Sequence, residues 1–351
     1  MRQFFNIFPI FLLCLWGTAC TKAPQPITLQ KQEVLHVYTW SNYFSSDAIK
    51  KFEETAHAKV EFSYFSSNEE LMAKLQAGAK GYDVIVPSGY VVRALISLGI
   101  LLPLQSELWP ELKNLSPQFR APVYDAHHEY SVPFVWGISG LAVNRAKVKA
   151  KVDSWAWVFN HPELAGQITM LDDPPDVTSS ALKYLGYSVN DMHPEVLAKA
   201  KALLKKQKPW LKAYTSETQA LLISGEVAIA QSYSSDVGQV MAKNPNIQFV
   251  IPKEGAPYWV DNLAILKNAE SPDLARLFLR FFLTAESAAQ QSQFIFTNPV
   301  VDISAYKEAL SILNKAHLLP TPSQSSKLEL TSENPEFHEA VQKLWTELKA
   351  E

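Results

Sequence analysis

Hydrophobicity along the chain switches repeatedly between a two-residue and a helical period, and the switches mark alternating strands and helices. From Val34 to Thr39 the pattern is that of a half-buried strand, and a helix is expected to start near Asp47. Val60-Glu-Phe-Ser-Tyr64 alternates in the same way, and Asn68 is placed as the N-cap of a helix that runs through Gln76 and stops at Gly78. A short apolar run, Asp83 to Val86, breaks at Pro87-Ser88-Gly89-Tyr90. The helix after it ends at Leu98-Gly99. Three strands separated by two helices predict a parallel sheet with right-handed crossovers.

Beyond residue 128 the pattern changes. Strands are expected at Tyr130–Trp136 and Leu141–Asn144, separated by Gly137 and Gly140 where the chain passes from one lobe to another. A second α/β series follows. Ile168–Leu171 is a strand that ends at Asp172-Asp173-Pro174-Pro175-Asp176, and helices are expected near 178–186, 194–207 and 216–223. Val227–Ala230 is a strand ending at Gln231-Ser232-Tyr233, with a helix from Ser235. After a strand at Gln248–Ile251, Tyr258–Ile265 reads as a strand returning to the first lobe. The remainder is mainly helical, at 272–283, 285–292, 304–315 and 335–349. The last helix sets Phe337, Val341, Leu344 and Leu348 on one packing face. A chain of 351 residues exceeds the usual single domain. Two lobes are therefore expected, 34–138 with 260–304 and 139–259 with 305–351.

The N-terminus departs from this plan. Arg2 precedes an apolar run from Phe4 to Trp16 that is too short to span a bilayer, and the small residues Gly17, Thr18 and Ala19 precede Cys20. Residues 1–19 read as a secretory signal peptide and 20–33 as a tether. The ending in Ala-Cys resembles the lipobox of bacterial lipoproteins, in which the cysteine is acylated, although Gly17 stands where an aliphatic residue is usual. A plain signal peptide cut nearby is the alternative. Cys14 and Cys20 are the only cysteines, so no disulfide is expected in the body.

Charge narrows the partners. A formal net charge of −3 with no basic tract speaks against nucleic acid. Rings and polar or acidic groups recur where predicted strands end or cross: Trp40, Ser41, Asn42 and Tyr43; Ser88 and Tyr90; Asp173 and Asp176; Tyr233 and Asp236; Trp259 and Asp261. Strand ends are where open α/β sheets bind ligands. Each group also has a plainer reading, as rings under a helix, a turn, an N-cap or a first-turn acid. Asp261 resists this, because an acid inside an apolar strand is costly unless paired. A cleft of rings and carboxylates without Lys or Arg selects a cation, through ring faces and charge-assisted hydrogen bonds. The acids are not interleaved with His or Cys at ligand spacing, so no metal or other cofactor is expected. His127-His128-Glu129 reads as solvated surface. No nucleophile elbow or phosphate loop occurs, so a binding protein is expected and not an enzyme.

Several stretches together resemble the periplasmic polyamine-binding proteins of spermidine/putrescine ABC transporters. They are Tyr38-Thr-Trp-Ser-Asn-Tyr43, Asp83-Val-Ile-Val-Pro-Ser88, Val132-Pro-Phe-Val-Trp-Gly137, Ser154-Trp155 and Pro252-Lys-Glu-Gly255 with Tyr258-Trp-Val-Asp261. The resemblance covers nearly the whole mature chain. It implies a two-lobe periplasmic-binding-protein fold of type II, with a polyamine held in the inter-lobe cleft and passed to an ABC permease. A periplasmic monomer is expected with it, anchored to the membrane through the lipid that the lipobox resemblance implies. By the resemblance Trp40, Tyr43 and Trp259 are ring walls, Tyr233 stands where Trp is usual, and Ser88 and Tyr90 match the third-strand loop. Asp261 matches the acid that holds one ammonium group. Asn42 replaces an acid and Phe296 replaces a Tyr. Asp236 matches an acid of the putrescine branch. Asp173 and Asp176 match a pair in the spermidine branch, with Asp176 in place of Glu. The expected ligand is putrescine, spermidine or both, with a lean towards putrescine. A receptor for another small cationic or amino compound, or a polyamine sensor signalling to a membrane protein, is the alternative.

Overall fold

The computed structural model describes residues 33–332 and 334–350. The signal peptide, the tether as far as residue 32 and Cys20 lie outside them. In chain order β1 (Val34–Trp40), α1 (Ser46–Ala56), β2 (Lys59–Phe65), α2 (Asn68–Gln76), β3 (Val84–Ile85) and α3 (Gly89–Ser97) come first. Short 3₁₀ turns between 106 and 119 lead to β4 (Ser131–Asn144). Next come α4 (Ala156–Phe159), β5 (Ile168–Met170), α5 (Pro174–Tyr184), α6 (Pro194–Gln207), β6 (Leu211–Tyr214), α7 (Thr218–Ser224), β7 (Ile229–Tyr233), α8 (Ser234–Met241) and β8 (Ile247–Val250). After β9 (Ala256–Ile265) the chain adds α9 (Pro272–Phe282), α10 (Ala285–Ile295), β10 (Asn298–Pro299), α11 (Lys307–Lys315), α12 (Pro322–Ser325), β11 (Leu328–Leu330) and α13 (Pro335–Ala350).

The strand order is β2-β1-β3-β9-β4-β7-β5-β6, with β8 and β10 also on β4 and β11 on β9. β1 lies parallel to β2 and β3, as the two-helix crossover pattern requires. β9 runs antiparallel to both β3 and β4. The long β4 belongs to both halves of the sheet. Ser131 to Ile138 pair with β9, and Ser139 to Asn144 pair with β7 and β8. On the first half Phe44 and Phe52 pack against Phe278, while Phe134 meets Phe44 and Phe282. On the second half Trp155, Phe159, Leu182 and Phe249 are buried. α11 packs against α10, whereas α13 lies on α5 and α6.

Three expectations are corrected. Gly137 and Gly140 do not divide the segment into separate strands, because β4 is continuous through both. They are where rings cross the sheet. A Cβ on Gly137 would lie 2.2 Å from Cζ2 of Trp259, and one on Gly140 would lie 2.7 Å from Cζ of Phe249. Asn68 is not the cap of α2. Ser67 fills that role by accepting from the Glu70 amide, which frees the Asn68 side chain for a longer reach. His128 is buried and not solvated, with a left-handed backbone (φ 51°) and Nε2 3.0 Å from the Arg120 carbonyl.

Candidate functional site

The site is built where β4 passes from one half of the sheet to the other. Asp261 sits on β9 and is buried. An isolated bridge pairs it with Ser88, the residue before α3. Ser88 is the N-cap of α3 by position but makes no side-chain cap bond. Its hydroxyl donates instead to Oδ1 of Asp261 at 2.6 Å, and the freed Asn68 amide donates to that hydroxyl at 3.1 Å. The Tyr43 phenol donates to Oδ2 of the same carboxylate. Burial pushes Asp261 up to about 6, against the lowering pull of these two hydroxyls, and burial also drives Tyr43 well above its ordinary range. Asp261 is thus held in place by neutral donors alone.

On the far side, Asp173 caps α5 by accepting from the Asp176 amide at 3.0 Å, and Pro174 fits the first helical turn that follows. The plain N-cap reading of Asp173 is therefore correct, yet its second oxygen accepts from the Tyr233 phenol at 3.4 Å. Asp176 is buried beside it, and burial together with the Asp173 charge raises its pKa strongly. The Ser139 and Tyr233 hydroxyls offset only part of that. Burial raises Asp173 as well. Asp236 lies in the first turn of α8, as expected. It accepts a hydrogen bond from Nε2 of Gln219 at 2.9 Å, and burial lifts it to about 6. Tyr43 and Tyr233 both feel its charge.

Rings connect the acids. Trp259 on β9 meets Tyr233 edge to face, with centroids 6.2 Å apart and planes at 90°. Its ring passes over Gly137, and its indole N–H is buried without a partner. Trp40 ends β1. Its indole N–H donates to the Val86 carbonyl at 3.1 Å and its ring meets Phe65 at 4.5 Å, so the packing role of this ring is what the contacts show. Tyr90 donates to Glu69 at 3.3 Å and feels the charge of Asp173. Ser41 and Asn42 are exposed, and Asn42 takes the left-handed conformation (φ 55°) that Asn tolerates. Phe296 ends α10 with φ 57° and packs against Gly238 of α8, where a Cβ would lie 2.4 Å from its own. It has no direct bond to the acids.

Four residues of this geometry escaped the sequence reading: Asn68, Gly137, Ser139 and Gln219. Asn68 and Gln219 lie on helices, and only the tertiary fold turns them towards Ser88 and Asp236. The signal available for Gly137 was a glycine inside an otherwise strand-like run, which marks close approach.

Among the described residues none of the four aspartates has a Lys, Arg or His within ion-pair distance. No cluster of His, Cys, Asp and Glu among them is arranged to hold a metal ion. Two buried carboxylates, Asp176 and Asp261, and two half-buried ones, Asp173 and Asp236, therefore stand among rings without a protein cation, an arrangement suited to a cation.

The family profile of bacterial extracellular solute-binding proteins matches residues 47–311. The chain is a bacterial extracellular solute-binding protein. The putrescine/cadaverine-binding protein of Pseudomonas aeruginosa is 32% identical over 351 aligned residues, which cover 96% of this chain and 98% of that protein. A spermidine/putrescine ABC transporter substrate-binding protein from Streptococcus pneumoniae superposes with a TM-score of 0.80 at 26% identity, covering 91% of this chain and 99% of that one. The TpPotD lipoprotein of Treponema pallidum gives a TM-score of 0.79 at 29% identity over 90% of this chain and 99% of its own. The α/β fold of this solute-binding protein is therefore the expected two-lobe one.

Proposed function

We propose that this protein captures a polyamine, putrescine or spermidine, between its lobes and delivers it to an ABC permease. The observation that carries the reading is the set Asp173, Asp176, Asp236 and Asp261, the second and last buried and the other two half-buried, with Tyr43, Tyr233 and Trp259 around them and, among the described residues, no protein cation beside them. Burying an uncompensated carboxylate costs several kcal/mol, and an ammonium ligand removes that cost. A diamine is small. At about 1.5 kcal/mol per heavy atom its ceiling is roughly 9 kcal/mol, and micromolar binding already takes about 8. Nearly every ligand atom must then be touched, which two closing lobes achieve and an open groove does not. The polyamines named for the relatives support the same ligand class. The lobes we assign are 34–138 with 260–315, and 139–259 with the C-terminal segment after it; α11, expected in the second lobe, is moved to the first because it packs on α10.

Asp236 should decide ligand length. Paired with Asp261 across Tyr43, it brackets a short diamine, so Asp236→Asn should weaken putrescine binding by tenfold or more and spermidine binding by less. Calorimetry with both amines reads this directly. Equal losses for the two, or an unchanged putrescine affinity, would remove Asp236 from the discrimination.

Anchoring rests on the sequence near Cys20, and a lipoprotein among the structural relatives is consistent with it. Among the described residues no helix is long and apolar enough to cross a membrane. Cys20→Ala should therefore move the protein from the membrane to the soluble fraction on cell fractionation. Retention in the membrane would exclude acylation as the anchor.

A further inference from the structure

We propose that His338 is a positioning residue that latches the two lobes over the bound ligand through its stack on Tyr90, and so sets ligand residence time without touching the ligand. Two rings from distant elements meet here. Tyr90 lies in the first turn of α3, two residues from Ser88, and His338 lies near the start of α13. Their centroids are 4.4 Å apart with planes at 26°. Stacked pairs of this geometry contribute beyond the area they bury.

Both partners are fixed from behind. His338 Nε2 lies 2.8 Å from the Ser332 carbonyl, so that nitrogen carries the proton, and burial keeps the ring neutral by lowering its pKa. The Ser332 amide in turn donates to Asn190 at 2.6 Å, and α13 rests on α5 and α6. Lys349 at its far end pairs with Asp172, next to the Asp173 cap. Tyr90 is held by its hydrogen bond to Glu69 on α2. The groups facing the stack are thus Glu69, Asp173 and the Tyr90 phenol itself, all anionic or neutral, so the stack is not an ion pair. The helix that carries His338 is tied to the Asp173 side of the cleft, and Tyr90 belongs to the Ser88–Asp261 side. Their contact spans the mouth.

The kinetic arm of this inference rests on the proposed polyamine binding, whereas its structural arm does not. The body has no cysteine, so Arg93→Cys and Lys343→Cys, both exposed, allow a clean pair of spin labels on α3 and α13. Without added ligand, the pair should show a short, narrow distance distribution. His338→Phe keeps a stacking ring and should preserve it, while His338→Leu, of similar bulk, should broaden it towards longer distances at an unchanged melting temperature. With putrescine or spermidine, His338→Leu should raise koff by roughly two- to tenfold, and His338→Phe should restore it. A distance distribution indifferent to His338→Leu overturns the latch whether or not polyamine binds. Distances that respond while no polyamine binds would uphold the latch and overturn the ligand reading.

Discussion

Asp261→Asn should abolish tight polyamine binding while leaving a folded protein that is more stable than wild type in the absence of ligand. The carboxylate is buried and, among the described residues, served only by the Ser88 and Tyr43 hydroxyls. Its charge therefore lacks a counter-ion until an ammonium arrives. Removing one partner of a buried charge pair costs about 2–5 kcal/mol, which corresponds to roughly thirtyfold to several thousandfold in Kd. Stability should move the other way. The folded-state pKa of about 6 stands above the unfolded value of 3.8, so protonation favours the fold, and that contribution is lost as pH rises through about 6. At neutral pH the ionised acid is a burden that the amide removes, and the melting temperature should rise by about 2–5 °C. For the same reason, wild-type polyamine affinity should fall below pH 6, where protons compete with the ligand for Asp261 and Asp236. Calorimetry across pH together with thermal melts checks both signs. A variant that binds normally, or an affinity that rises on acidification, would refute the role of Asp261.

The second large effect belongs to a residue with no side chain. Gly137→Ala places a methyl carbon 2.2 Å from the indole of Trp259, inside the van der Waals boundary of a ring that cannot bend. Overpacking of a core costs about 1–3 kcal/mol, and here the relief available is to push Trp259 off its position against Tyr233. We expect at least a tenfold loss of polyamine affinity and a lower melting temperature. Gly140→Ala is the matched control. Its Cβ would meet Phe249 and the Val250 carbonyl at 2.7 Å, both on the β8 side and apart from the acids. It should destabilise the protein and yet spare the affinity of the folded fraction. Similar affinities for the two glycine variants would mean that Trp259 does not form a wall of the site.

Much of this was legible in the sequence, for physical reasons that also mark where legibility ends. The strand–helix alternation revealed β1 to α3 and the β9 return, because burial on one face imposes a period on each segment. β6 and β11 carry too few residues for a period to register, and both are defined only by the neighbours they pair with. The acids were conspicuous since buried charge is rare, and Asp261 stood out inside an apolar strand. What supports them was not visible. Asn68 and Gln219 are ordinary helix residues until the fold aims them at Ser88 and Asp236. Gly137 and Gly140 looked like breaks because a glycine in a strand signals either a break or a close approach, and only the partner strand decides which. His128 misled in the opposite sense: a polar run conceals a ring that is buried by its own loop.

Polyamine capture is tested most directly by a binding titration at pH 7.5 of the mature protein, purified free of amines, against putrescine, cadaverine, spermidine, amino acids and sugars. We expect saturable one-to-one binding of at least one polyamine with a Kd in the micromolar range or below, a raised melting temperature on binding, and no response to sugars or anionic amino acids. Tight binding of an anionic or uncharged solute, with no response to any polyamine, would contradict a cation site built from these four aspartates.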